Sequence, residues 1–280
     1  MELPVTVGID GSEAGLAAAD WAAREALLRG CPLRGCPLRG CPLRGCPLRV
    51  LHALPLMPHL LPGRFAGRRP DPGALLHEVR HILAVRCPQL ETRTDEVHDI
   101  ATAALLAAGE DAERLVVAAR GAGGCPGLRI GSTALHLAAR AGCPTVVLPA
   151  DPPGPEPREQ VVVGLDARRP AEAALEFAFA AAHRHGLPLQ VVHASAAGVQ
   201  DDEDELLARA LAPWQAAHPE VEVVADTSCT GAGLALVEAS AKARLLVLGR
   251  RPAALAGSLG PVGHAVLHHA ACPVAVIAET

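Results

Sequence analysis

The sequence repeats itself, and the repeat limits what the chain can fold into. Val5-Thr6-Val7-Gly8-Ile9-Asp10 returns as Val161-Val162-Val163-Gly164-Leu165-Asp166, an offset of 156 residues that also carries Gly30 onto Gly186. Farther along, Cys46 to Ala53 (CPLRVLHA) matches Leu187 to Ala194 (LPLQVVHA) at an offset of 141. The difference of 15 residues equals three copies of the unit CPLRG, which recurs from Cys31 to Arg49. The ends of the halves match too, Gly142 to Leu148 (GCPTVVL) against Ala271 to Ile277 (ACPVAVI). With 280 residues, each copy is long enough to build a core of its own. The expected division is a first domain at 1–150 with the CPLRG insert at 31–45, a Pro-, Gly- and charge-rich linker at 151–160, and a second domain at 161–280.

Every CPLRG unit contains a proline and a glycine, which interrupt helix and strand alike. The insert therefore reads as an irregular, basic, thiol-bearing surface loop. Its cysteines recur every five residues, not in the Cys-x-x-Cys pairing of zinc sites, so a repeat expansion is favoured over a metal or thiol sensor. The nine cysteines of this chain are expected to be reduced thiols, since their number is odd and the chain is not a small secreted one.

Within the first copy, apolar runs and helical spacing alternate. Strands are expected at 5–9, 50–53, 92–97, 115–118 and 145–148, and helices at 14–28, 72–85, 100–108 and 132–141. Ser12 stands at the N-cap of the first helix and Gly30 at its end. A Pro-rich stretch, with Pro55, Pro58 and Pro62, precedes the second helix. Alternating elements of this kind imply an α/β class: two tandem, doubly wound, mainly parallel five-stranded sheets covered on both faces. Ligands of such sheets bind at the carboxyl ends of the strands, where strand order reverses. That directs attention to the loops after Asp10, Ala53 and Ala118.

Composition removes several functions. A net charge of −5 lacks the basic surface that nucleic acid requires, and 2% aromatic residues leave little for base stacking. No run approaches the roughly 18 apolar residues of a membrane span. Met1-Glu2-Leu3-Pro4 lacks the positive start of a secretory signal, so a cytoplasmic protein is expected.

The loop that carries chemistry runs from Ala118 through Arg120, Gly121, Gly123, Gly124 and Gly127 to Gly131, Ser132 and Thr133. It joins a strand end to a helix start. Glycines allow close approach of the backbone, and a helix N-terminus offers amides and a positive dipole. The hydroxyls of Ser132 and Thr133 add donors, and the whole suits an anionic phosphate. It is not a Walker loop, because the chain's single lysine is Lys242. A Gly-x-Gly-x-x-Gly fingerprint from Gly121 fails at Pro126.

Gly121, nine residues, Gly131 and Ser132 resemble the ATP-binding loop of the universal stress protein family, with Ala118 where that family has its first glycine. The resemblance spans nearly the whole chain, twice. It implies a fold like that of the adenine nucleotide alpha hydrolases and an ATP site, with Mg as companion ion. Within that resemblance Asp10 matches the family's acidic residue after the first strand, and Ala53 its contact at the end of the second. The implied nucleotide-binding set is thus Asp10, Ala53, Ala118, Arg120, Gly121, Gly131, Ser132 and Thr133. The family also pairs domains through its last strands, which implies intramolecular pairing of 145–148 with 274–277 and a homodimer as a further partner.

The second copy departs from this pattern. Gly249 and Gly260 stand 11 positions apart against 13 for Ala118 and Gly131, and Pro261 replaces Ser132. Arg250 and Arg251 remain able to meet an anion, but this half is expected to be structural or regulatory. His264, His268 and His269 read as a polar helix face, Asp201 to Glu205 as an acidic helix start, and His52 and His193 as hydrogen-bonded structural histidines. No catalytic residue and no metal site stands out. The expectation is a stress-response protein binding an adenine nucleotide through its first half. The alternatives are an interaction or scaffold protein with vestigial pockets, and a weak ATP hydrolase.

Overall fold

The computed structural model describes residues 3–30, 46–54, 71–123, 128–150, 157–195, 200–251 and 259–279. The CPLRG copies at 31–45, the prolines at 55, 58 and 62, Gly124 to Gly127 and the linker residues 151–156 lie outside them. The chain divides into two compact units, Met1–Ala150 and Asp151–Thr280.

The first unit alternates β1 (Val5–Ile9), α1 (Glu13–Gly30), β2 (Leu48–Ala53), α2 (Pro72–Arg86), β3 (Thr92–Val97), α3 (Ala101–Glu110), β4 (Arg114–Ala118), α4 (Ser132–Arg140) and β5 (Thr145–Leu148). Its strands pair in parallel in the order β3-β2-β1-β4-β5. The second unit repeats the plan with β6 (Gln160–Gly164), α5 (Glu172–His185), β7 (Leu189–Ala194), α6 (Gln200–Ala217), β8 (Val223–Ser228), α7 (Ala232–Ser240), β9 (Ala243–Arg250), α8 (Gly260–His269) and β10 (Val274–Ala278). Its order is β10-β9-β6-β7-β8, again parallel. Each unit is a doubly wound α/β sheet.

The cores are made of small and branched side chains because aromatics are scarce. Val5, Val7, Leu48, Val50, Leu115 and Val116 are buried from both faces, as central parallel strands require. Along α1, Ala18, Ala19, Ala22, Ala23 and Ala26 follow helical spacing and are buried, so the helix lies close to the sheet. Gly8 permits equal closeness on the opposite face, since a Cβ there would stand 2.9 Å from Leu105 of α3. Gly164 plays the same part beneath Leu236 of α7, also at 2.9 Å.

Two local features depart from the sequence reading. Helix α1 runs to Gly30, two residues past the expected 28, and Gly30 is the last described residue before the insert. Arg114, the first residue of β4, is fully buried, with its guanidinium 3.5 Å from Glu25 of α1 and 3.4 Å from Glu113. A charge at that depth persists only with such partners, and removing one costs about 3–5 kcal/mol.

Candidate functional site

The carboxyl edge of the first sheet gathers the residues that the motif separates. Ile9 is level with His52 in the β1–β2 pairing, which sets Asp10 beside Ala53 at the strand ends. Strand β4 flanks β1 on its other side and ends at Ala118. Strand order reverses between β1 and β4, the place where doubly wound sheets bind ligands.

Asp10 organises the turn that follows. Its Oδ1 accepts from the Ser12 amide at 3.1 Å and from the Ser12 hydroxyl at 2.6 Å. The same Ser12 hydroxyl oxygen accepts from the Gly15 amide at 3.0 Å, which makes Ser12 the N-cap of α1. Asp10 Oδ2 accepts from the amide of Ala122, 112 residues away in sequence. That bond draws the glycine loop over the end of β1. Gly121 lies so close that a Cβ there would fall on the Asp10 carboxylate. Only glycine fits, and the reason is contact with Asp10.

The base of the loop is closed by the Gly131 amide, which donates to the Ala119 carbonyl at 2.7 Å. Helix α4 then starts at Ser132 with no side chain capping it. Ser132 is exposed and Thr133 half-exposed, so the first turn of α4 faces outward with its amides and hydroxyls. The structure thus brings Asp10, Gly121, Gly131, Ser132 and Thr133 to one edge, with Ala53 and Ala118 at the adjoining strand ends. Arg120 is half-buried in the same loop.

The second unit keeps the turn and changes its partner. Asp166 Oδ1 accepts from the Arg168 amide at 3.1 Å, as Asp10 does from Ser12. Its Oδ2, however, faces Arg251 Nη1 at 3.3 Å, so a guanidinium replaces the loop amide. Among the described residues a crevice of about 510 Å³ opens at this edge, between the ends of β6, β7 and β9 and the start of α8.

A sequence model described as the Universal stress protein family matches residues 43–149 and 157–278. The chain belongs to the universal stress protein family. A universal stress protein of Mycobacterium tuberculosis is 30% identical over 303 residues, covering 99% of this chain and 97% of its own. Another from the same organism is 30% identical over 276 residues, covering 98% and 95%. The crystal structure of a universal stress protein from Archaeoglobus fulgidus superposes with a TM-score of 0.65 at 14% identity, covering 99% of this chain and 98% of that one, a likeness of fold. The tandem architecture is therefore common to this universal stress protein and its relatives.

The histidines of this universal stress protein sit one strand away from each aspartate. His52 Nδ1 donates to the Ile9 carbonyl at 2.9 Å, and His193 Nδ1 lies 3.0 Å from the Leu165 carbonyl and 3.4 Å from the Ala167 amide. His193 goes further than the sequence reading allowed. Its Nε2 donates to Glu203 at 3.0 Å, and Arg168 pairs with the same carboxylate. The His193 hydrogen bond, with help from Arg168, holds the Glu203 carboxyl below its ordinary range. In the acidic start of α6, Glu203 is thus buried and paired, while Asp202, Asp204 and Glu205 are exposed. The odd polarity of a histidine inside Val-Val-His-Ala was the signal that could have suggested a partner. Among the described residues no group of three metal-ligating side chains converges, and no helix is long and apolar enough to cross a membrane.

Proposed function

We propose that the first domain binds an adenine nucleotide, ATP in particular, and that the second is structural or regulatory. The observation that carries this reading is the seating of Gly121 against Asp10, which holds the backbone at Gly121 and Ala122 over the end of β1, in the loop that leads to the uncapped start of α4. Uncapped helix amides and the helix dipole suit a phosphate. Asp10, Ala53 and Ala118 then lie where the sugar and base would rest, and Gly131, Ser132 and Thr133 where the phosphates would. Mg would accompany the phosphates as their counter-ion. Family membership supports the same assignment, and stress response is the family's role.

Calorimetric titration of the full chain with ATP tests it. Saturable heat is expected for wild type, with affinity reduced at least about tenfold in Gly131→Val, where a branched side chain crowds the loop base. No heat from wild type, or equal heat from the variant, removes the nucleotide reading. One observation favours a second reading, an interaction protein with vestigial pockets. The Ala122 amide is already engaged by Asp10, so the loop holds an anion of its own.

A further inference from the structure

Among the described residues a crevice opens at the strand ends of the second domain, and its chemistry differs from that of the first domain's loop. The crevice of about 510 Å³ falls in the size range of small-molecule sites. Val192, Leu236, Leu248, Leu259 and Val262 contribute apolar walls. Its described lining includes two arginines, Arg250 and Arg251, against one carboxylate, Asp166. We infer that this crevice binds a small molecule with a single anionic group on an apolar body, the anion being received by the Arg251 guanidinium.

The donors decide the ligand class. Pro261 stands at the start of α8 where the first domain has Ser132, which removes both a hydroxyl and an amide. Backbone donors for a chain of phosphates are therefore fewer, and a side chain takes their place. Arg251 bridges Asp166 Oδ2 at 3.3 Å and the Arg169 carbonyl. The pair is 37% and 45% exposed, a setting in which ion pairs are weak and readily exchanged. An incoming carboxylate, sulfonate or phosphate monoester offers two oxygens in the plane that a guanidinium matches. Asp166 then acts as a competitor for the guanidinium, not as a ligand contact. Burial lowers the pKa of the neighbouring Arg250, so an added negative charge in this crevice is favoured there too. Leu236 and Leu248 supply the apolar contact that a single anionic group alone does not provide.

Fluorescence titration of the full chain with anilinonaphthalene sulfonate tests this, since that probe is one sulfonate on an apolar ring system. Saturable binding of one probe per chain is expected. Arg251→Gln should weaken it about tenfold, the effect of losing one charge-assisted contact. Asp166→Asn should tighten it several-fold by releasing the guanidinium. Ala232→Trp, which fills the crevice from α7, should abolish it, and Gly131→Val should leave it unchanged. Inorganic tripolyphosphate should not displace the probe. Equal affinity in wild type, Arg251→Gln and Asp166→Asn would mean adventitious apolar binding and would overturn the inference. Absence of saturation in wild type, loss of binding in Gly131→Val, or displacement by tripolyphosphate would overturn it as well. The opposite signs expected for the two charge variants keep the test decisive even where one of them folds poorly.

Discussion

The amide of Cys46 donates to the carbonyl of Ala26 at 3.2 Å, joining residues that flank the whole CPLRG insert. In the second domain the equivalent Leu187 donates to the equivalent Ala182 at 3.0 Å. There the two are separated only by the end of α5 and Gly186, whose φ of 63° is the left-handed turn of a helix C-cap. The next contact matches as well. Val5 donates to Pro47 at 2.9 Å, and Val161 to Pro188 at 3.0 Å. The flanks of the insert are already arranged as in an uninterrupted helix-to-strand connection.

Deleting residues 31–45 should therefore leave the fold intact, with Gly30 joined to Cys46 and taking the conformation of Gly186. Shortening the connection between Ala26 and Cys46 should lower its closure entropy and stabilise the first domain by on the order of 1–2 kcal/mol. Urea denaturation followed by circular dichroism reads the change. Loss of a cooperative transition, or marked destabilisation, would show that the insert contributes contacts of its own.

Asp10 and Ser12 act as a relay, since the Ser12 hydroxyl donates to Asp10 while accepting from Gly15. Ser12→Ala should cost about 1 kcal/mol by uncapping α1. Asp10→Ala should cost a similar amount, roughly 1 kcal/mol, through the same hydroxyl and the Ala122 amide. Because the two share one bond, the double variant should fall short of the sum by roughly 0.5 kcal/mol or more. Strict additivity in a denaturant series would mean that Asp10 does not hold the cap in place.

These contacts mark how far the sequence could be read. Every strand and helix of the first unit falls within two residues of its expected bounds, because apolar runs and alanine spacing are local signals. Ser12 was legible as a cap for the same reason. The bond from Ala122 to Asp10 was not, because it joins residues 112 apart and depends on where the sheet brings the chain back. The burial of Arg114 with Glu25 was likewise invisible, as nothing within β4 or α1 names the partner. Family resemblance placed Asp10 and the glycine loop in one site. The contact of Gly121 with the Asp10 carboxylate explains why residue 121 is glycine.

Glu203 gives the second domain an acid sensitivity whose direction is fixed. Its folded-state pKa lies below the ordinary value of 4.5, first through the His193 hydrogen bond and then through Arg168. A carboxyl depressed in this way stabilises the fold fully above its unfolded pKa, and the contribution fades as pH falls through the folded value. Urea midpoints should therefore drop below about pH 4.5 more steeply in wild type than in Glu203→Gln. Glu220 is lowered as well, chiefly by a hydrogen bond from its own backbone amide, so the variant should reduce the slope without abolishing it. Identical slopes would place the acid sensitivity elsewhere.

Helix α5 gains its cap from the far end of the chain. Its local N-cap, Ala171, has no side-chain acceptor, and the Glu279 carboxylate receives the amides of Ala173 at 3.2 Å and Ala174 at 3.0 Å. The first domain solves the same problem with Ser12, three residues from the amide it caps. Since Glu279 follows β10, its carboxylate also ties the strand end to the helix start. Glu279→Ala should destabilise the second domain by about 1 kcal/mol, the usual value of a lost cap. Glu279→Gln keeps an acceptor but loses the charge that favours the positive helix end, so it should recover part of that loss. Denaturation of the full chain at neutral pH distinguishes the outcomes. Were Glu279→Ala to unfold at the wild-type midpoint, the amides of Ala173 and Ala174 would have to be satisfied by water instead.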